Sequence, residues 1–191
     1  MNQREFFDSK AHTWDDNRDP EQIKRIDRLI EAINLIDNEF IIDIGSGTGI
    51  LLPYFKNISY IAIDISFNML KKAQDKYKGK NTFVQADACT LPFKQATFDR
   101  AVLFAVFPHI ENKLKALIQV CHVLKPGGKI NILHAASRQT INDFHREQGG
   151  TIEHDSIPDQ KGMLELLAKS GFKEIQILDL PDRYLANAIK L

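Results

Sequence analysis

Three glycines alternate in Asp43-Ile44-Gly45-Ser46-Gly47-Thr48-Gly49, directly after the apolar run Phe40-Ile41-Ile42. Glycine allows a sharp turn and lets a ligand approach main-chain atoms that a Cβ would block, so the segment reads as a ligand loop between a strand and a helix. Its spacing is G-x-G-x-G with Ile50 and Leu51 next, which misses the G-x-G-x-x-G that cradles a dinucleotide pyrophosphate. Asp64 stands 21 residues beyond Asp43, at the end of Tyr60-Ile61-Ala62-Ile63. A carboxylate there can accept both hydroxyl protons of a ribose, although strand-end aspartates also cap the helix that follows. A third acid, Asp87, follows Thr82-Phe83-Val84-Gln85. Ligand groups on successive strand ends line one edge of a sheet, where open α/β folds bind their ligands.

Two histidines fall on the same edge: His109, after Leu103-Phe104-Ala105-Val106-Phe107-Pro108, and His134, closing the fifth strand. Imidazole titrates near neutral pH, so each is a candidate base or acceptor contact, with a satisfied structural histidine as the plainer alternative. A polar run follows, through Ser137-Arg138-Gln139, Asn142, His145-Arg146, Gly149-Gly150 and His154-Asp155. Polar segments leaving a ligand-binding edge are where substrate recognition tends to sit, though a solvated helix and loop would look the same. His134, His145 and His154 match no tight ligand spacing, and no metal is expected.

These residues need a frame. Short β-branched runs alternate with amphipathic stretches, the pattern of a parallel sheet. Strands are expected at Phe40 to Ile44, Tyr60 to Ile63, Thr82 to Gln85, Phe98 to Phe104, Lys129 to His134, Lys173 to Leu178 and Tyr184 to Ile189. Ile23, Ile26, Leu29, Ile30 and Ile33 recur at helical spacing after Asp19-Pro20. Further helices are expected from Gly49 to Phe55, Phe67 to Tyr77, Asn112 to Leu124 and Gln160 to Ser170, with Gly171 ending the last. Leu124-Lys125-Pro126-Gly127-Gly128 reads as a helix end, a breaker and a turn into the fifth strand. The last two strands are separated only by Asp179 to Arg183, too short for a crossover helix, so they form an antiparallel hairpin. The expected fold is α/β, a Rossmann-like, seven-stranded, mostly parallel sheet with a reversed edge strand and helices on both faces.

At 191 residues the chain suits one domain, and 43% hydrophobic against 26% charged residues describes a buried core under a solvated surface. Lys plus Arg and Asp plus Glu number 25 each, which provides no overall basic field for a nucleic-acid backbone, and none is expected as partner. The lysines at 71, 72, 76, 78 and 80 read as a solvated face. Cys89 and Cys121 have no CxxC spacing, which excludes a disulfide framework and a cysteine zinc site. No apolar run approaches the roughly 20 residues of a membrane helix, and no apolar signal core is seen near Met1; a cytoplasmic protein is expected.

Taken together, Asp43-Ile-Gly-Ser-Gly-Thr-Gly49, Ile63-Asp64, Gln85-Ala86-Asp87-Ala88, Phe98-Asp99 and Leu124-Lys-Pro-Gly-Gly128 resemble the class I (Rossmann-like) methyltransferases that use S-adenosylmethionine (SAM). The likeness is to their small-molecule, type 11 branch, over roughly residues 38 to 135. The resemblance implies an enzyme that moves the methyl group of SAM to a small molecule by direct in-line displacement. It implies that Asp43 belongs to the cofactor site, that Gly45, Ser46 and Gly47 border the methionine part of SAM, that Asp64 binds the ribose and Ile65 packs on adenine. Asp87 and Ala88 would reach the adenine edge, and Phe104 would line the donor site. SAM has hydroxyls and amines but no phosphate, so acids are tolerated where a pyrophosphate would be repelled. Residues 1–37 would form an N-terminal lid and helix, with Phe6, Phe7 and Trp14 over the methyl group, residues 38–135 the cofactor-binding core, and residues 136–191 the acceptor-side segment and C-terminal hairpin.

No catalytic residue comes with the resemblance, because a sulfonium already carries its leaving group and a base is optional. His109 and His134 remain the candidates, His109 at a position where small-molecule relatives often carry histidine. The Asn/Asp-Pro-Pro-aromatic motif of nucleobase and glutamine-amide methylation is absent, as are the cysteine cluster of arsenic methylation and acidic magnesium ligands of a catechol site. The competing reading is a non-catalytic SAM- or metal-binding module using the His-rich segment. A nicotinamide oxidoreductase lacks its final loop glycine here, and RNA methylation lacks its positive charge. The acceptor atom and the oligomeric state are left open.

Overall fold

The computed structural model describes residues 1–16, 19–78 and 82–191; Lys80, in the lysine-rich face, lies outside them. The strands are β1 (Phe40–Ile44), β2 (Ser59–Asp64), β3 (Thr82–Gln85), β4 (Phe98–Phe104), β5 (Leu124–His134), β6 (Phe172–Leu180) and β7 (Arg183–Lys190). The helices are α1 (Gln3–Lys10), α2 (Pro20–Ile33), α3 (Phe67–Lys76), α4 (Lys113–Val123), α5 (Arg138–Gln148) and α6 (Gln160–Lys169). The seven strands form one sheet in the order β3-β2-β1-β4-β5-β7-β6. Neighbours run parallel except β7, which is antiparallel to both β5 and β6. The reversed strand therefore sits between β5 and β6, and β6 lies at the edge.

Side-chain alternation sends each strand's apolar residues to two layers. Ile42, Ile44, Ala101, Leu103, Ile130 and Ile132 pack with Leu117 and Val120 of α4 and Leu167 of α6. Ile41, Val102, Phe104 and Leu133 pack on the other face with Ile26, Leu29 and Ile33 of α2. Asp19 caps α2 through the Glu21 amide, Pro20 starts it, and Asn34 ends it in the left-handed conformation.

Three elements differ from expectation. The helix expected at Gly49 to Phe55 is only a 3₁₀ turn, Leu52–Phe55, because Gly49 is at φ +81 and Pro53 has no amide hydrogen to extend a helical ladder. The fifth strand begins at Leu124, not Lys129; Leu124 pairs with Phe98 before a register shift, so the Pro-Gly-Gly stretch is carried within the strand. The stretch around Phe6 and Phe7, which lacks a long helical period, forms α1, stabilised by a capping box between Asn2 and Glu5.

Arg100, in the middle of β4, is fully buried. Its Nε and Nη2 donate to the two carboxylate oxygens of Glu39, both at 2.8 Å. Nη1 donates to Asn131 Oδ1 at 2.8 Å and to the Ile33 carbonyl at 3.1 Å. Asn131 passes the network on to Asn187 of β7. Removing one partner of such a buried pair typically costs about 3–5 kcal/mol, against under ~1 kcal/mol for an exposed one. Glu39→Ala should accordingly lower stability by about 3–5 kcal/mol in chemical denaturation. Lys125→Ala, which breaks the half-exposed Lys125–Asp99 pair, should cost under ~1 kcal/mol; equal losses would contradict this assignment.

Candidate active site

The carboxyl ends of β1, β2 and β4 open on a cavity of about 1020 Å³. Gly45, Ser46, Gly47, Asp64, Ile65, Asp87, Ala88, Phe104 and His109 all line it; Asp43 and His134 lie behind that surface. Two glycines explain the loop. A Cβ on residue 45, at φ +69, would lie 2.2 Å from Val106 Cγ2, so the loop must be bare where β4 leads out beneath it. Gly47, at φ +54, has no atom within 4 Å of the Cβ position, and open space lies over it.

Asp64 holds this loop in shape. Its Oδ2 accepts the Gly47 amide and its Oδ1 the Ser66 amide, each at 2.8 Å. A carboxylate offers about four acceptor positions, so these bonds leave room for a ligand hydroxyl. Burial pushes the Asp64 carboxyl up to about 6, against the backbone hydrogen bonds that favour its ionised form. Asp87 accepts the Cys89 amide through Oδ1 at 2.8 Å. Asp43 is 1% exposed, and among the described residues its Oδ2 has no hydrogen-bond partner, nor does the buried Ser46 Oγ. Burial first, then the neighbouring Asp64, pushes the Asp43 carboxyl up to about 8.

Unpartnered buried polar atoms beside an open loop call for an explanation, and a ligand that completes their hydrogen bonds supplies one. The hydroxyl, amine and ammonium groups of SAM suit this set of acceptors, and the space above Gly47 admits close approach, so the residues fit the cofactor that the resemblance implies.

The opposite wall is made by α1 and by the turn after β4. Asp8 of α1 accepts the Ser66 hydroxyl at 2.6 Å and the Asn68 amide at 3.1 Å, tying the helix to the start of α3. Phe7 packs edge-on against Trp14 and His109, with ring centroids 5.8 and 5.0 Å apart. Phe7 and Trp14 line the cavity; Phe6 packs on Phe7 but does not reach it. His109 ends a 3₁₀ turn, Phe107–His109, fastened by Lys113 Nζ to the carbonyls of Pro108 and Ile110 at 3.1 and 3.0 Å. His134 is 4% exposed, packs against the Tyr184 ring and is held neutral by burial, down to about 3.

The polar run after His134 forms α5, capped by Ser137. His134, His145 and His154 do not converge: among the described residues no group of three His, Cys, Asp or Glu side chains is arranged to hold a metal ion. Sequence reasoning missed Gln3 and Lys113 in the cavity wall. It also missed the partner of His109, whose Nδ1 lies 2.6 Å from Asp155 Oδ2. Only the placement of Asp155 in a polar run hinted at a role.

The raised Asp43 carboxyl has a definite sign. A group whose folded value of about 8 lies above its ordinary 3.8 adds stability that is full below the ordinary carboxylate range and lost as pH rises through about 8. Asp64 acts in the same direction, up to about 6. Melting of the ligand-free protein should therefore fall relative to Asp43→Asn as pH is raised from about 5 to about 8, by several degrees at ~2–4 °C per kcal/mol. Parallel melting curves across that range would show that Asp43 is not held protonated.

A family profile described as a methyltransferase domain matches residues 42–132. The chain is 33% identical to the ubiquinone/menaquinone biosynthesis C-methyltransferase UbiE of Proteus mirabilis, over 79% of this chain and 73% of that one. It is 26% identical to the O-methyltransferase rstn1 of Aspergillus nomiae, over 88% and 82% of the two chains. A SAM-dependent methyltransferase from Thermotoga maritima shares the fold end to end, with a TM-score of 0.78 at 17% identity over 100% of both chains. With the glycine loop, the strand-end acids and these relatives in agreement, the chain belongs to the class I SAM-dependent methyltransferases, in the type 11 branch, and is an enzyme whose methyl donor is SAM.

Proposed function

We propose that this methyltransferase acts on a small molecule, by direct in-line displacement, with the acceptor bound against Phe7 and His109. One observation carries the proposal: the loop and acids on one side and Phe7, Trp14, His109 and Lys113 on the other line a single cavity of about 1020 Å³. That volume is at the top of the range of roughly 300–1,000 Å³ for small-molecule sites, which supports room for donor and acceptor together. The balance of 25 basic and 25 acidic residues favours a small molecule over a polyanion. The relatives named above are called C- and O-methyltransferases, which supports a small-molecule class and leaves the accepting atom to be inferred from chemistry.

SAM, when bound, supplies an electrophilic methyl on a sulfonium leaving group. What remains for the protein is to bind, align and keep out water. In this proposal Asp64 accepts the ribose hydroxyl protons, Asp87 and Ala88 meet the adenine edge, and Ile65 and Phe104 provide apolar contact. Asp43, Gly45, Ser46 and Gly47 receive the amino-acid end. Phe7 and Trp14 exclude water, and His109 faces the acceptor. Residues 1–37 act as lid and helix, 38–135 as cofactor core and 136–191 as acceptor side and hairpin.

Calorimetric titration with S-adenosylhomocysteine should give saturable binding, weakened at least about tenfold by Asp64→Ala, while NAD fails to bind. Because ribose hydroxyls donate to the ionised carboxylate, affinity should rise as pH is raised through about 6, where Asp64 ionises. Preference for NAD, or indifference to Asp64→Ala, would overturn the cofactor assignment.

A further inference from the structure

Asp155 lies outside the segment matched by the family profile, residues 42–132, yet it grips the acceptor wall at two points. Its Oδ2 is 2.6 Å from His109 Nδ1, and both side chains are nearly buried, at 14% and 12% exposed. Gln3 Nε2 of α1 donates to the same carboxylate, at 3.1 Å to Oδ1 and 2.9 Å to Oδ2. The carboxylate is itself held. The Asp155 carbonyl accepts His145 Nδ1 at 2.9 Å. Asn142 of α5 makes a paired hydrogen bond with the Ile157 backbone, at 2.8 and 3.0 Å, clamping the same segment.

A carboxylate only accepts, so the neutral His109 ring carries its proton on Nδ1 and leaves the Nε2 lone pair free. Nε2 makes no hydrogen bond among the described residues, and the ring lines the cavity. Lys113, His134 and His145 are titratable groups that lie around this pair. Lys113 spends its ammonium on the Pro108 and Ile110 carbonyls, and burial lowers both His134 and His145 from the ordinary imidazole value. Phe7 covers the His109 ring at 5.0 Å. A ring held in one tautomer by a carboxylate behind it, under an apolar cover, is arranged to take a proton from the acceptor.

We propose that Asp155 is the positioning residue that presents His109 Nε2 as proton acceptor, and that the molecule methylated offers its accepting atom as an O–H or N–H. The inference rests on the methyl-transfer reading above. His109 Nε2 takes the proton from the acceptor as the oxygen or nitrogen lone pair forms the bond to the methyl carbon. The carbon–sulfur bond breaks with its electron pair remaining on sulfur. The imidazolium, balanced by the Asp155 carboxylate, afterwards returns its proton to water.

The test uses the full chain loaded with S-adenosylhomocysteine, with phenol, benzylamine and anisole as probes, read by long-range ¹H–¹⁵N spectra of the histidine side chains. Wild type should show His109 as the Nδ1–H tautomer, with Nε2 perturbed by phenol or benzylamine and not by anisole. Whichever of the first two acts tells oxygen from nitrogen. Asp155→Asn should redistribute the tautomer and weaken the probe effect about tenfold, with cofactor-product affinity held within about twofold, and Asp155→Glu should restore the tautomer. An unchanged tautomer in Asp155→Asn, no response to either protic probe, or an anisole response equal to phenol's would overturn the proposal. If Asp155→Asn fails to fold, the wild-type tautomer and the probe comparison decide alone. Failure of wild type to bind S-adenosylhomocysteine would instead overturn the methyl-transfer reading.

Discussion

A guanidinium cut off from water must find its acceptors inside the protein, and Arg100 finds them at the end of α2, at the entrance to β1 and on β5. That requirement sets the relative heights of three central strands. Arg100 stands opposite Ile41 on one side and Lys129 on the other. Counting along those parallel registers brings Asp43, Phe104 and His134 out at the same edge of the sheet. The site is level because the network beneath it admits one register.

On that edge the protein concentrates polar groups in a place that water barely reaches. Asp64 adds to the cost of ionising Asp43, and among the described residues the Asp43 carboxyl keeps an oxygen without a partner. Evolution tolerates such spots where a ligand completes them. Arg100 is the contrast: there the same fold satisfies a buried charge with acceptors of its own.

What could be read from the sequence was what local rules control. The loop at Gly45 and Gly47, the acids at strand ends and the apolar strands follow from backbone freedom and period-two patterning. The short turn at Leu52–Phe55 is hidden from pattern reading because a glycine and a proline defeat an otherwise helical stretch. Helix α1 was illegible because it has no buried residue and so no apolar period; it is held by caps and by partners far along the chain. Asp155 and His109 meet across 46 positions, and Gln3 and Asp155 across 152. No pattern in sequence marks such pairs, which exist only once the sheet has brought both ends of the chain to one rim.

The placement of β7 bears on how the chain can be made. Among the described residues strand β6 pairs only with β7, and β7 alone joins it to β5. A chain emerging from the ribosome thus completes β5 and then carries an unpaired edge of that strand through α5, α6 and all of β6. Only when the next eight residues after the hairpin turn emerge can the gap close, and β6 then enters from outside as the partner of a strand made after it. Until β7 pairs, that side of β5 offers unpaired backbone groups as a template for other chains.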